Sequence, residues 1–193
     1  MASTSIARPT RETVGGNAQR RVVVGGLVVG ALLGFGGNFF DPGAVQDLLY
    51  AVSSTGLIAA SALLAVERAR VGSVFTAAGF ALFALGEARL LNPTGAPGGE
   101  ASFAAGVLLC AAALLLIGMS TWAPYWVRIV GWMSAVPFAT HALAFLGGAD
   151  VDSTGALAGI AYALLTLTIV GWVLTVLRPK SRGNGVSGVQ AGT

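Results

Sequence analysis

Six long apolar stretches, separated by short polar breaks, organise this chain. They run over Val22–Phe40, Val45–Val66, Val71–Leu91, Ala101–Ser120, Ile129–Leu146 and Gly155–Leu177. Each is near the ~20 residues that a helix rising ~1.5 Å per residue needs to cross ~30 Å of hydrocarbon. The breaks carry turn chemistry: Glu67-Arg68-Ala69-Arg70 reads as a tight turn, and Asn92–Glu100 holds Pro93, Gly95, Pro97, Gly98 and Gly99. The pattern predicts an all-α, polytopic integral membrane protein: a six-helix transmembrane bundle over residues 22–178, flanked by tails at 1–21 and 179–193. The tails lack an apolar period and read as disordered.

Composition agrees. Of 193 residues, 55% are hydrophobic and 10% charged, with mean hydropathy +0.79. Soluble domains average roughly 25% charged residues, so this chain cannot cover a water-facing surface.

Charge sets an expected orientation. Arg8, Arg11, Arg20, Arg21, Arg68, Arg70, Arg128, Arg178, Lys180 and Arg182 fall on one side of the six spans, and Arg89 alone falls on the other. Asp41, Asp47, Glu87, Glu100, Asp150 and Asp152 share the side of Arg89. The positive-inside rule then places both termini in the cytoplasm. The basic pI reflects topology signals and anionic lipid headgroups, and no nucleic-acid partner is expected. One lysine against ten arginines, with abundant Ala and Gly, points to a bacterial inner membrane. Arg20-Arg21 could open a twin-arginine signal, but five further spans favour an uncleaved first helix. Trp122, Tyr125, Trp126 and Trp172 at the basic side, and Phe39 and Phe40 at the other, read as interfacial anchors.

Each outward helix ends alike: Phe35-Gly36-Gly37, Leu85-Gly86-Glu87 and Leu146-Gly147-Gly148. This suggests three repeated helical hairpins, with chance similarity of Gly-Leu-rich ends as the competitor. Gly26, Gly30 and Gly34 form a ridge for close helix approach, within the chain or, as the alternative, in a homo-oligomer.

Polar residues inside lipid are costly and are therefore the candidate chemistry. On the second span, Asp47, Tyr50, Ser54 and Ser61 share a stripe, with Asp47 equally suited to serving the helix start. On the third, Ser73, Thr76, Phe80, Phe83 and Glu87 share a face. Arg89 points elsewhere, so Glu87 needs a partner on another helix or a proton. On the fifth, Pro137 frees the Met133 carbonyl, and Ser134, Phe138, His141 and Phe145 lie beside it. If the second, third and fifth helices meet, then Asp47, Tyr50, Glu87, Arg89 and His141 line an outward-facing polar pocket, which Tyr162 and Thr166 could join.

Three readings follow. The first is a binding or transport protein for a small or lipophilic molecule. The second is a small intramembrane enzyme using Glu87 and His141 as acid and base on a lipid-like substrate. The third is a structural or accessory subunit of a membrane complex, with Glu87 and His141 paired to other helices. The single cysteine, Cys110, excludes an intramolecular disulfide, and the single histidine argues against a His-rich metal site. No cofactor motif is present, and no Walker, H-E-x-x-H or G-x-S-x-G sequence occurs.

Overall fold

The computed structural model describes residues 14–91, 99–148 and 156–178. Residues 1–13 of the expected N-terminal tail and the expected tail 179–193 lie outside the described residues, as do 92–98 and 149–155, the latter holding Asp150 and Asp152. The described residues form six helices: α1 (Val14–Gly37), α2 (Ala44–Arg70), α3 (Val74–Leu90), α4 (Gly99–Met119), α5 (Tyr125–Leu146) and α6 (Ala156–Leu177). Five of them, all but α3, are long and apolar enough to cross a membrane. With 17 residues, α3 spans about 25 Å.

Helix boundaries differ from the sequence pattern where polar residues continue a helix. Residues 14–21, expected as tail, are the opening turns of α1. Glu67-Arg68-Ala69-Arg70, expected as a turn, is instead the last turn of α2, where its arginines favour the C-terminal end of the helix dipole. The true turn is Val71-Gly72-Ser73. Gly72 adopts φ +76°, a left-handed conformation suited to glycine. The Ser73 amide donates to the Arg68 carbonyl at 2.9 Å, and the Gly72 amide to the Ala69 carbonyl at 3.0 Å. Pro124 precedes α5, which therefore begins four residues before the expected Ile129. Pro137 lies within α5 and is buried.

Each helix packs against its neighbours in the chain, and α6 closes on α1. Arg20 ties this closure by donating its Nε to the Val176 carbonyl at 2.9 Å. Small residues make the close contacts. Gly26 lies against Gly56, Gly30 against Leu57 and Ser53, and Gly34 against Ser53, so the glycine ridge faces α2 of the same chain. Ser53 donates to the Gly30 carbonyl at 2.7 Å across this seam. Between α3 and α4, Gly79 meets Ala113 and Ile117, while Gly86 meets Gly106 and Cys110. With lipid tails as apolar as leucine, such contacts supply the association that water would otherwise drive.

Among the described residues no helix approaches another across the ring, so side chains fill its centre. An edge-to-face chain runs Trp122–Phe80–Trp172–Phe83, with ring centroids 5.0 to 5.4 Å apart. Trp172 is only 1% exposed. That corrects its reading as an interfacial anchor: Ala161, Leu165, Thr168, Ile169 and Trp172 form the buried stripe of α6, and the ring's centre needs a large side chain there. Tyr125 and Trp126 are exposed, as are Phe39 and Phe40.

Candidate functional site

Helical spacing turns the polar face of α3 inward. Thr76, Phe80, Phe83 and Glu87 are all buried, and Gly79 and Gly86 beside them let α4 approach. Glu87 is 4% exposed, in the last turn of α3. Its partner comes from α2, where the buried Ser54 hydroxyl donates to Glu87 Oε2 at 2.7 Å. Of the two expected ways to settle Glu87, a partner on another helix or a proton, the structure shows the first in Ser54. Cys110 of α4 lies against Gly86, the residue before Glu87.

His141 is also buried, at 7% exposure, and its ring stands edge-on to Phe103 of α4 with centroids 5.9 Å apart. On the same face of α5, Phe138 stands edge-on to Tyr162 at 5.7 Å, and Ser134 donates to the Ala161 carbonyl at 3.2 Å. Thr166 donates to the Tyr162 carbonyl of its own helix.

The other expected site residues lie elsewhere. Asp47 is exposed in the first turn of α2, where a carboxylate favours the helix dipole. Tyr50 fastens the α1–α2 hairpin: its hydroxyl donates to Asn38 Oδ1 at 3.1 Å, and its ring lies against Gly37. Gln46 completes the latch by donating to the Gly37 and Phe40 carbonyls. Arg89 is exposed on a different side of α3 from Glu87. The helices do not meet as assumed either. α2 packs on α3, but α5 packs on α4 and α6, so α4 stands between Glu87's helix and His141's. The structure thus brings Glu87 and His141 to the interior and leaves Asp47 and Arg89 at the surface.

Sequence reasoning missed two participants. Ser53 is buried one position from Ser54 and serves the α1 seam; adjacent serines at a helix–helix contact were its available signal. Cys110 carries no local pattern that would show it packing against Gly86, next to Glu87.

Electrostatically, the interior carboxyl is notable for lacking a cation. Among the described residues the one ion pair joins Arg68 to Glu67, at the opposite end of the ring. Hollows among the described residues include two that lie away from this carboxyl. One, at the basic end, is lined by Leu114, Ile117, Val127, Thr168 and Trp172 and is too small for water. The other, about 420 Å³, opens outward between α1 and α2 beside Gly25, Val29, Val52 and Thr55. Neither touches Glu87 or His141. Among the described residues no three His, Cys, Asp or Glu side chains gather as a metal site.

Comparison with protein-family models, curated proteins and solved structures gave no match. What the fold defines is an all-helical protein, over the described residues, with five helices long and apolar enough to cross a membrane; its activity has to be argued from the interior of the ring.

Proposed function

We propose that this chain is a six-span protein of the bacterial inner membrane, with both termini cytoplasmic, that binds or transports a small lipophilic molecule carrying a positive charge or a hydrogen-bond donor. The observation that carries this reading is Glu87, a carboxyl buried where α3 meets α2, with a serine hydroxyl as partner and no ion pair among the described residues. A buried acid of this kind is costly, and in a membrane protein it marks a ligand or ion path. A ligand cation or donor would satisfy it. The aromatic rings of Tyr162, Phe138 and Phe103 stand around the same half of the ring and would pack on the apolar body. The chain Trp122–Phe80–Trp172–Phe83 fills the half toward the basic end, which supports access from the acidic end. A glycine after Phe or Leu at the ends of all three outward helices supports an origin from a repeated hairpin.

Thermal unfolding of the detergent-purified protein, screened against lipophilic amines and their neutral isosteres, tests this. Amines should raise the Tm of the wild type and leave Glu87→Gln unchanged. Equal response of both proteins to every compound would refute the reading. A second reading, an accessory subunit, is favoured by the packing of Glu87 on Ser54 and of His141 on Phe103, which already occupy both side chains. It predicts no response to any compound and co-purification of a protein partner. Acid–base catalysis by Glu87 with His141 is less well supported, because α4 separates their helices.

A further inference from the structure

At the basic end, three partly buried arginines share the same chemistry but not the same employment. Arg20 gives its Nε to the Val176 carbonyl at the end of α6. Arg128 gives its Nε to the Gly118 carbonyl at the end of α4, at 2.6 Å. Both satisfy carbonyls that a helix terminus leaves open. Arg68 has no such duty. At the end of α2 the Ala69 and Arg68 carbonyls are met by the Gly72 and Ser73 amides. Its side chain is 16% exposed, and its Nε is buried and donates to no acceptor among the described residues. One terminal nitrogen pairs with the neighbouring Glu67. The guanidinium lies over the Trp122 ring, 5.5 Å from its centroid, and Trp122 is itself held edge-on by Phe80. The guanidinium is thus held at the rim of the ring by Glu67 and Trp122, its Nε enclosed without an acceptor and its side chain still partly exposed.

We infer that Arg68, held on Trp122, seats the phosphate of one anionic phospholipid. The charge around it fits such a partner: Arg21, Arg70 and Arg178 are exposed at the same end, against Glu67 as the acid there among the described residues. A planar guanidinium matches phosphate oxygens two at a time, and a tryptophan beside it suits the headgroup layer. The surrounding arginines draw anionic lipids to this end diffusely, and Arg68 holds one of them. The occupant is a lipid rather than free phosphate because the seat adjoins helices whose outer faces are apolar. Val66 and Val71, on either side of Arg68 in sequence, and Val74 are all exposed.

Native mass spectrometry of the full chain in mild detergent, with phosphatidylglycerol added stepwise, tests this. The wild type should retain one phosphatidylglycerol more tightly than the rest. Arg68→Gln should weaken that first binding about tenfold, the scale of one lost charge-assisted hydrogen bond. Arg70→Gln should weaken it less, and phosphatidylcholine or inorganic phosphate should not compete. Where Arg68→Gln fails to fold, Arg68→Lys decides, since it keeps the charge and loses the fork; its first binding should also weaken. Equal weakening by Arg68→Gln and Arg70→Gln would reduce the effect to a diffuse basic belt. Competition by inorganic phosphate would make the seat one for a free anion. No preferred first lipid would remove the seat. Each of these three results overturns the inference.

Discussion

Ser54 on α2 donates its hydroxyl to the carboxyl of Glu87 on α3 at 2.7 Å, inside a ring of helices that is otherwise mostly apolar. This bond links the two helices and fixes where the carboxyl points. Ser54→Ala removes the donor and leaves a buried acceptor short of a partner. The expected cost is about 1–3 kcal/mol. Thr55→Ala, on the exposed side of the same helix, should stay within about 0.5 kcal/mol. Reversible unfolding in mixed micelles measures both, and equal losses would mean that the Ser54–Glu87 bond contributes nothing special.

The α1–α2 seam gives a second contrast, between neighbouring glycines. A Cβ at Gly26 would lie 2.6 Å from the Gly56 carbonyl oxygen, a backbone atom that cannot rotate away. Gly26→Ala must therefore separate the helices, at about 1–3 kcal/mol. A Cβ at Gly25 meets nothing within 4 Å. Gly25→Ala should be neutral or slightly stabilising, because alanine is the better helix former. The same unfolding assay checks the pair, and a neutral Gly26→Ala would show that α1 does not lie on α2 as described.

Trp172 supplies a third. It occupies the centre with Phe80 and Phe83, so Trp172→Ala should cost about 3–5 kcal/mol. Trp126→Ala should cost far less, since Trp126 is 40% exposed. Relative to the wild type, tryptophan emission should shift to the red in Trp172→Ala and to the blue in Trp126→Ala. A well-tolerated Trp172→Ala would argue that the ring is not closed around it.

These contrasts also show how far the sequence reached. Apolar runs of near-spanning length mark all six helices, because a helix in lipid must bury its own backbone polar groups and expose only apolar side chains. Their ends were harder. Glu67 to Arg70 continue α2 because the last turn of a helix tolerates charge, whereas the turn itself is set by the φ of Gly72. The inward face of α3, from Thr76 to Glu87, followed from spacing alone. Which helix would supply the partner of Glu87 did not, because ring order is a property of pairwise packing that no single helix encodes. The same gap misplaced Trp172. Near a helix end a tryptophan reads as an anchor until the missing centre of a ring is known to need filling. Tyr50 and Asp47 share the stripe of Ser54, yet they sit one and two turns nearer the end, where the stripe leaves the core for the α1–α2 latch and the surface.

Orientation is open to a direct check. With ten of eleven basic residues on one side of the spans, a fluorescent protein fused after Thr193 should fluoresce in cells, and an alkaline phosphatase fused there should be inactive. The opposite pair of results would invert the arrangement and place the Glu87 end toward the cytoplasm.

The central claim is that the Glu87 cluster holds a small molecule. The most direct test is mass spectrometry of the small molecules and lipids released from the protein after purification in mild detergent, with Glu87→Gln and His141→Ala variants alongside. The account predicts a molecule near one per chain in the wild type, lost in Glu87→Gln and reduced in His141→Ala. The same molecule at the same level in all three proteins, or no specific molecule in the wild type, would contradict it.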